Sequence, residues 1–421
     1  MKGIRRFLTQ FLGDQFYCGL DIGTHKLKAS LSRVADADTL ELQAVNEVET
    51  RGLAGASIND IGEFSSCVSA VIDGIARRTK RKVRDIHLGL GGEFVDMRLS
   101  RALVPLVERG NKIVSEKDLR YARGQARMLG VRLEEEVLTD IVQQYKIDDV
   151  NIAFNPAGLY GRKLEVETLL VLANITRLRN LTKAVQQAGF EVNDIHFNGV
   201  AASDAMLDKR RRTEGCVFID FGARTTMILV FKEGLLKHFR KVAVGGELLT
   251  QRIAAELNIP FVLAEDIKKS YGYVELPDTS PEAGRGAGEE ILVKKEQVFV
   301  PVKRARITRA VEPDINTLIG HMRAAVTESG YEGQLKGGIV VVGGGALLAG
   351  VMERVEFEMR MPVTLGRNIP GLNTAAVYCV STSIAEAGYK KMFRYRLDSQ
   401  KPKDLWTAAR NKAIEISNEY F

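Results

Sequence analysis

Two short segments, about 200 residues apart, each end an apolar strand in an aspartate and turn back through glycine. In the first, FYCGLDIGTHKLKASLSRV, Asp21 closes the strand, Gly23 and Thr24 form the turn, and alternating residues carry the chain back. The second, CVFIDFGARTTMILVF, repeats the pattern with Asp220, Gly222 and Thr225-Thr226. Glycine lets the backbone bend sharply and brings its N–H groups close to an anion. An aspartate at the strand end would face a hydrated divalent cation, since magnesium keeps most of its water. Thr24, Lys26 and Lys28 share strand parity, so all three are expected to face the phosphates. One such turn is common among hairpins. Two of them, each between apolar strands, point to paired halves that clamp a nucleotide; two unrelated hairpins are the alternative.

The length agrees, because 421 residues exceed one comfortable hydrophobic core and call for two or more lobes. Two further glycine elements follow. In GGIVVVGGGALLAGVMERV, a valine-rich strand enters Gly343-Gly344-Gly345, and a helix is expected from about Ala346. In VAVGGELLTQRIAAELN, a glycine pair opens an amphipathic helix. A helix start favours anions. Neither stretch is a Walker A loop, as no Gly-Lys-Ser/Thr follows, and neither reads GxGxxG.

The charge balance, 60 basic against 53 acidic side chains, is a mild excess. No basic stretch is interleaved with aromatic residues, which argues against a nucleic-acid partner. Cys18, Cys67, Cys216 and Cys379 lie far apart without a CxxC pair. A zinc site or disulfide framework is not expected, and a reducing cytoplasm fits. The longest apolar run, Ile339 to Val351, is glycine-broken and too short to span a bilayer.

At the N-terminus, MKGIRRFLTQFLG places Ile4, Phe7, Leu8, Phe11 and Leu12 at three- and four-residue spacing, one stripe if helical. Lys2, Arg5 and Arg6 lie on or beside the opposite face. Such a helix suits the surface of an anionic membrane, and it equally suits packing on its own domain or a partner. Interleaved charge and no cleavage site exclude a signal peptide. At the other end Leu405, Ala409, Ala413, Ile416 and Tyr420 form a weaker stripe, diluted by acidic residues.

These elements stand in the order of the actin-like ATPase superfamily, and the segments between them resemble FtsA, its membrane-linked cell-division member. Arg51-Gly52-Leu53 with Ile58-Asn59-Asp60-Ile61, the strand IHLGLGG, and SEKDLRYARGQARM all resemble FtsA segments. So does Asn155-Pro156-Ala157-Gly158-Leu159-Tyr160-Gly161 followed by LEVETLLVLA, its most specific local signature. The resemblance covers roughly residues 17–390.

It implies an α/β, actin-like ATPase fold of two lobes, each with a mixed five-stranded sheet and helices, plus an inserted FtsA-type subdomain. The expected division is an amphipathic helix at 1–13, a first lobe at 17–90 and 175–213, and the inserted subdomain at 91–174. A second lobe would take 214–245 and 335–392, with an outer subdomain at 246–334 and a tail at 393–421. ATP and Mg²⁺ are the implied cofactors. Asp21, Gly23 and Thr24 match the first phosphate loop; Asp220, Gly222 and Thr225 match the second. Gly246 and Glu247 match the loop bordering the ribose, Gly344 and Gly345 with Ala346 the adenosine loop, and Glu265 with Lys268 an adenosine-contacting pair. Asp21 and Asp220 would hold the metal through water.

The second loop departs from the family pattern. Arg224 stands in it, open between binding phosphate and filling the nucleotide space, and Met227 replaces an acidic residue. Asn198 occupies the position of a water-orienting carboxylate or amide; an amide is a poor general base. Asp220 and Asn198 are thus the candidate catalytic pair, and at most slow ATP hydrolysis is expected. The family reading adds self-assembly into filaments, peripheral attachment to the inner membrane face, and an FtsZ-like C-terminal tail as partner, received at Arg304 and Ile307. FtsA proteins usually carry the membrane helix at the C-terminus; here the better candidate is N-terminal. A PilM-like pilus adaptor is the alternative, and a sugar kinase a lesser one, for which no aspartate base is identified.

Overall fold

The computed structural model describes residues 15–36, 39–106, 112–149, 151–153, 155–276, 289–295, 298–366 and 375–400. The N-terminal segment 1–13 and the C-terminal stripe from Leu405 lie outside them.

The chain opens with an antiparallel meander, β1 (Phe16–Ile22), β2 (Lys26–Asp36) and β3 (Thr39–Glu49). Helix α1 (Ile61–Thr79) follows, capped by Asp60, whose carboxylate accepts from the Glu63 N–H at 2.9 Å. Its stripe of Phe64, Val68, Val71, Ile72 and Ile75 is fully buried. Strand β4 (Asp85–Leu90) then runs parallel to β1. A four-stranded insertion comes next: β5 (Val95–Pro105), helix α2 (Glu116–Gly130), β6 (Glu135–Ile147) and β7 (Lys163–Asn174), with Asn151–Ala153 at its edge. It encloses its own small core around Val104, Leu119, Ala122, Ile147 and Leu164. Helix α3 (Ile175–Gln187) leads back to β8 (Glu191–Phe197), which closes the first sheet in the order β8-β4-β1-β2-β3.

The second half repeats this plan. After α4 (Asn198–Met206), strands β9 (Cys216–Phe221), β10 (Thr226–Lys232) and β11 (Leu235–Val242) form another antiparallel meander. Helices α5 (Gly246–Leu257), α6 (Phe261–Tyr271) and α7 (Arg304–Glu328) intervene. Strands β12 (Ile339–Val342) and β13 (Val363–Leu365) add in parallel, giving β11-β10-β9-β12-β13. Each half is therefore a three-strand meander extended by two parallel strands, and each D-x-G turn joins the first two strands of its meander. β9 is buried at every position, as a central strand covered on both faces must be.

The division of the second lobe needs one correction. Residues 375–392 were expected with it, but α8 (Ala375–Gln400) crosses back onto the first sheet. Contact is close enough that a Cβ on Gly19 of β1 would lie 2.1 Å from the Ser381 carbonyl. Conversely, α4 follows the first sheet and reaches the second, with a Cβ on Gly199 meeting Leu229 at 3.1 Å. The two crossing helices pack on one another between the sheets, so one apolar cluster unites Leu20, Leu88, Phe218, Leu229 and Ile384. The helix expected from about Ala346 is also displaced. A 3-10 turn spans Gly344–Leu347 and the α-helix starts only at Val351, after Gly350 adopts φ +81°.

Where α8 leaves the first sheet, it covers a buried histidine. A Cβ on Gly388 would sit 2.4 Å from the His87 ring, and Tyr17 stacks on that ring at 5.8 Å. Burial, helped by neighbouring His196, lowers the His87 pKa to about 4 despite the opposing Asp194. An unfolded histidine titrates near 6.5, so the unfolded chain binds the extra proton between those values and stability falls as pH drops. From pH 6.5 to pH 5 the loss from this group is about 2 kcal/mol. His87→Gln is expected to remove most of that loss, read as the difference in urea midpoint between pH 7 and pH 5. Equal pH dependence in both proteins would contradict the assignment.

Candidate nucleotide-binding site

Both D-x-G turns open on one cleft of about 470 Å³ between the lobes. The first turn follows from β1 pairing with β2 through Ile22↔Leu27. Gly23 has no room for a side chain, since a Cβ would meet the Lys26 carbonyl at 2.4 Å. Thr50 pins this turn by donating its hydroxyl to the Gly23 carbonyl at 2.7 Å. Thr24 lies in the turn itself, so the parity expectation holds on the strand only for Lys26 and Lys28. Lys26 pairs with Glu47, and Lys28 donates to the Val377 carbonyl of α8 at 3.1 Å.

The second turn is closed by Gly222 N–H donating to Thr225 O at 3.1 Å. It is then bound to the start of α5, where Gly246 N–H reaches Gly222 O at 3.0 Å and Glu247 N–H reaches Ala223 O at 2.7 Å. Arg224 donates from Nε to Glu247 at 2.9 Å, a partner within the protein. Gly343, at φ +89°, passes so close to β9 that a Cβ would lie 2.4 Å from Phe221 O and 2.7 Å from the Asp220 carboxylate. Only glycine fits there.

The two strand-end aspartates dominate the electrostatics. Burial pushes the Asp21 carboxyl up, against the Lys28 charge and a hydrogen bond from Asn198 Nδ2 at 2.7 Å. Burial and the facing Asp21 charge raise Asp220 to about 7, with Lys28 opposing. Two buried carboxylates in one cleft repel, and a cation between them relieves both costs. No cluster of three or more histidine, cysteine or acidic side chains suited to a metal occurs among the described residues. A cation here would therefore rest on two carboxylates and water, the mode magnesium favours.

On the far wall, Lys268 Nζ donates to Glu265 at 2.7 Å, Thr250 Oγ1 at 2.6 Å and Gly246 O at 2.7 Å. Burial would raise Glu265, but the Lys268 and Thr250 hydrogen bonds and the Lys268 charge outweigh it and hold the carboxyl at about 2. That pair holds the first turn of α5 against α6.

Asp21, Gly23, Thr24, Lys26, Lys28, Asn198, Asp220, Gly222, Arg224, Thr225, Gly246, Glu247, Glu265, Lys268, Gly344 and Gly345 all line this cleft. Ala346 does not; its side chain is 5 % exposed and packs in the second-lobe core, because the 3-10 turn rotates it inward. Arg304 and Ile307 lie on α7, outside the cleft. Ile307 is fully buried in that same core, which removes it as a direct contact for a partner. Arg304 is partly exposed, bound to Glu289 at 2.8 Å and placed over the Tyr273 ring.

Sequence reasoning missed Glu93. It lines the cleft just past Gly91-Gly92, with one carboxylate oxygen buried and without a hydrogen-bond partner among the described residues. Burial pushes its pKa up while Arg224 opposes. The glycine pair that ends β4 was the available signal.

Asp220→Ala is expected to weaken magnesium–ATP binding at least tenfold (about 1.4 kcal/mol) without lowering the melting temperature, since it removes a costly buried carboxyl. Because Asp220 must lose its proton to face a cation, wild-type affinity is expected to be about tenfold lower at pH 6 than at pH 8. Titration calorimetry and thermal melts at both pH values check these outcomes; pH-independent binding by wild type and variant alike would refute the site.

Comparison with known proteins identifies the family and the fold. The family model "Cell division protein FtsA" matches residues 217–388, and "SHS2 domain inserted in FTSA" matches residues 95–172. The chain is 30% identical to the cell division protein FtsA of Bacillus subtilis over 344 residues, 80% of this chain and 76% of that protein. It is 28% identical to that of Pseudomonas aeruginosa, covering 83% and 82%. Among solved structures, the PilM-PilN type IV pilus biogenesis complex superposes with a TM-score of 0.63 at 16% identity, covering 89% of this chain and 98% of that one. MreB5 of Spiroplasma citri bound to ADP gives 0.53 at 14% identity, covering 91% and 98%. The fold is thus the actin-like one, and the chain belongs to the FtsA family of cell division proteins.

Proposed function

We propose that this protein binds ATP and magnesium between its lobes, assembles into filaments, and ties an FtsZ-like partner to the inner face of the cell membrane. The observation that carries the reading is the convergence of two glycine turns on one cleft, each with a buried aspartate. Relatives support the ligand, since MreB5 structures contain ADP and AMPPNP. The nucleotide acts mainly as an interlobe ligand, biasing closure by binding the closed form better. Asp21 and Asp220 would hold magnesium through water, and the cation would neutralise the phosphates. Asn198, fixed by Asp21, orients water as a hydrogen-bond partner but is a weak base. With Met227 in place of a second acid beside the loop, slow turnover is expected.

Membrane attachment rests on the sequence 1–13 and the family membership. No helix among the described residues is long and apolar enough to cross a membrane. Partner binding rests on Arg304 and the exposed Arg306 and Arg309 of α7, a basic start suited to an acidic tail. The structural likeness to PilM gives a second reading, an adaptor for a membrane-protein peptide. Co-purification with an FtsZ tail peptide favours the first, and failure to bind it favours the second.

Deleting residues 1–13 is expected to abolish pelleting with anionic vesicles while ATP affinity stays within a factor of two (about 0.4 kcal/mol). Unchanged pelleting would remove the membrane role from this segment.

A further inference from the structure

The first sheet has two ends. Strands β1, β4 and β8 run parallel, and their C-terminal ends at Ile22, Leu90 and Phe197 border the cleft. Their starts, Phe16, Asp85 and Glu191, therefore form a base on the opposite side. Helix α1 ends here at Thr79, Lys80 turns the chain with φ 55°, and residues 81–84 lead into β4.

This connection, RRTKRKVR over residues 77–84, has basic side chains at six of eight positions: Arg77, Arg78, Lys80, Arg81, Lys82 and Arg84. All six are exposed. None makes an ion pair with a described residue, whereas the basic residues Arg98, Arg123, Arg240 and Arg252 each have an acidic partner. Like charges packed this closely repel one another, a cost an anionic surface would reverse. Arg81 lies over the Phe16 ring at 5.0 Å, which fixes the cluster beside the point where residues 1–14 join the body. Helix α8 reaches the same end, with Tyr389 against Tyr17 at 5.3 Å and Lys391 bonded to Asp194 at 2.6 Å.

We propose that this base, Arg77 to Arg84, lies on an anionic lipid surface as a second contact beside the N-terminal segment, holding the cleft away from the membrane. The inference rests on the membrane reading of residues 1–13 and adds an orientation to it. An amphipathic segment alone gives one flexible attachment; a charged base next to it fixes which side of the lobe faces the lipid. A nucleic-acid surface is disfavoured, because the run carries no exposed aromatic to stack on a base.

The test uses the full chain, sedimented with vesicles of phosphatidylcholine mixed with phosphatidylglycerol or of phosphatidylcholine alone. Each cation near an anionic surface changes partitioning by about fivefold. The variant Arg77→Gln/Lys80→Gln/Lys82→Gln/Arg84→Gln is expected to bind mixed vesicles at least about tenfold more weakly than wild type, and to bind neutral vesicles equally. Its remaining binding should also depend less on salt. Lys209→Gln with Arg210→Gln, on another exposed basic run, is expected to bind as wild type. Equal loss there would mean bulk charge, and would overturn the proposal. If wild type and the four-site variant sediment alike at every salt concentration, the base is no contact, while the N-terminal reading survives. If wild type sediments with neither vesicle, the membrane reading fails and this inference with it. Tighter binding of wild type to duplex DNA than to mixed vesicles would reassign the surface.

Discussion

Two carboxylates buried in one cleft, each at the end of the central strand of its own sheet, are the constraint around which the rest is arranged. Burial raises the pKa of both Asp21 and Asp220, and the Asp21 charge adds to the cost of ionising Asp220. Strongly perturbed carboxylates in a cleft mark a candidate functional site, and a cation between them would relieve the cost of both. The surrounding structure holds them there: Asn198 bonds Asp21, Gly343 passes beside Asp220 without a side chain, and the apolar strands behind both are sealed from water. The crossing of α4 and α8 between the sheets makes the distance across the cleft a property of helix packing. A ligand bound at both aspartates would span the two sheets that this crossing joins.

Departures in the second loop have a physical reading in the structure. Arg224 lines the cleft, and its guanidinium bonds Glu247 at the head of α5. That contact, with two backbone bonds to the same helix start, ties the phosphate turn to the outer subdomain. A more glycine-rich loop would bend freely around a phosphate, whereas this one is held by a charge pair. Met227 meanwhile approaches Gly92 at the exit of β4, so an apolar side chain stands beside the second turn.

Much of the architecture was legible because it depends on local rules. Glycine turns after strand-end aspartates and the alternating strands that follow them carry their own signals. Residues that escaped notice depend on long-range packing. Ile307 stands among basic residues and reads as surface, yet it is on the inward stripe of α7. Ala346 follows three glycines and reads as a helix start, but Gly350 delays the α-helix and the intervening 3-10 turn rotates Ala346 into the core. α8 carries no strong one-sided apolar pattern because it is wrapped by both β1 and α4, so nothing in its residues announced which lobe it joins. Glu93 was signalled only by the glycine pair before it, and the meeting of β4 with the second turn made it a cleft residue.

Helix α8 connects the two ends of the first lobe. Near its start, the Val377 carbonyl accepts from Lys28, the same lysine whose charge opposes the raised pKa of both aspartates. Some three turns later, Tyr389 and Lys391 engage the base through Tyr17 and Asp194. The Lys28 ammonium carries three donors, so its bond to Val377 leaves others for the cleft that it lines. The close approaches at Gly19 and Gly388 leave no slack for sliding without displacing β1 or the His87 ring. One helix therefore touches the cleft near its start and the opposite face near its middle.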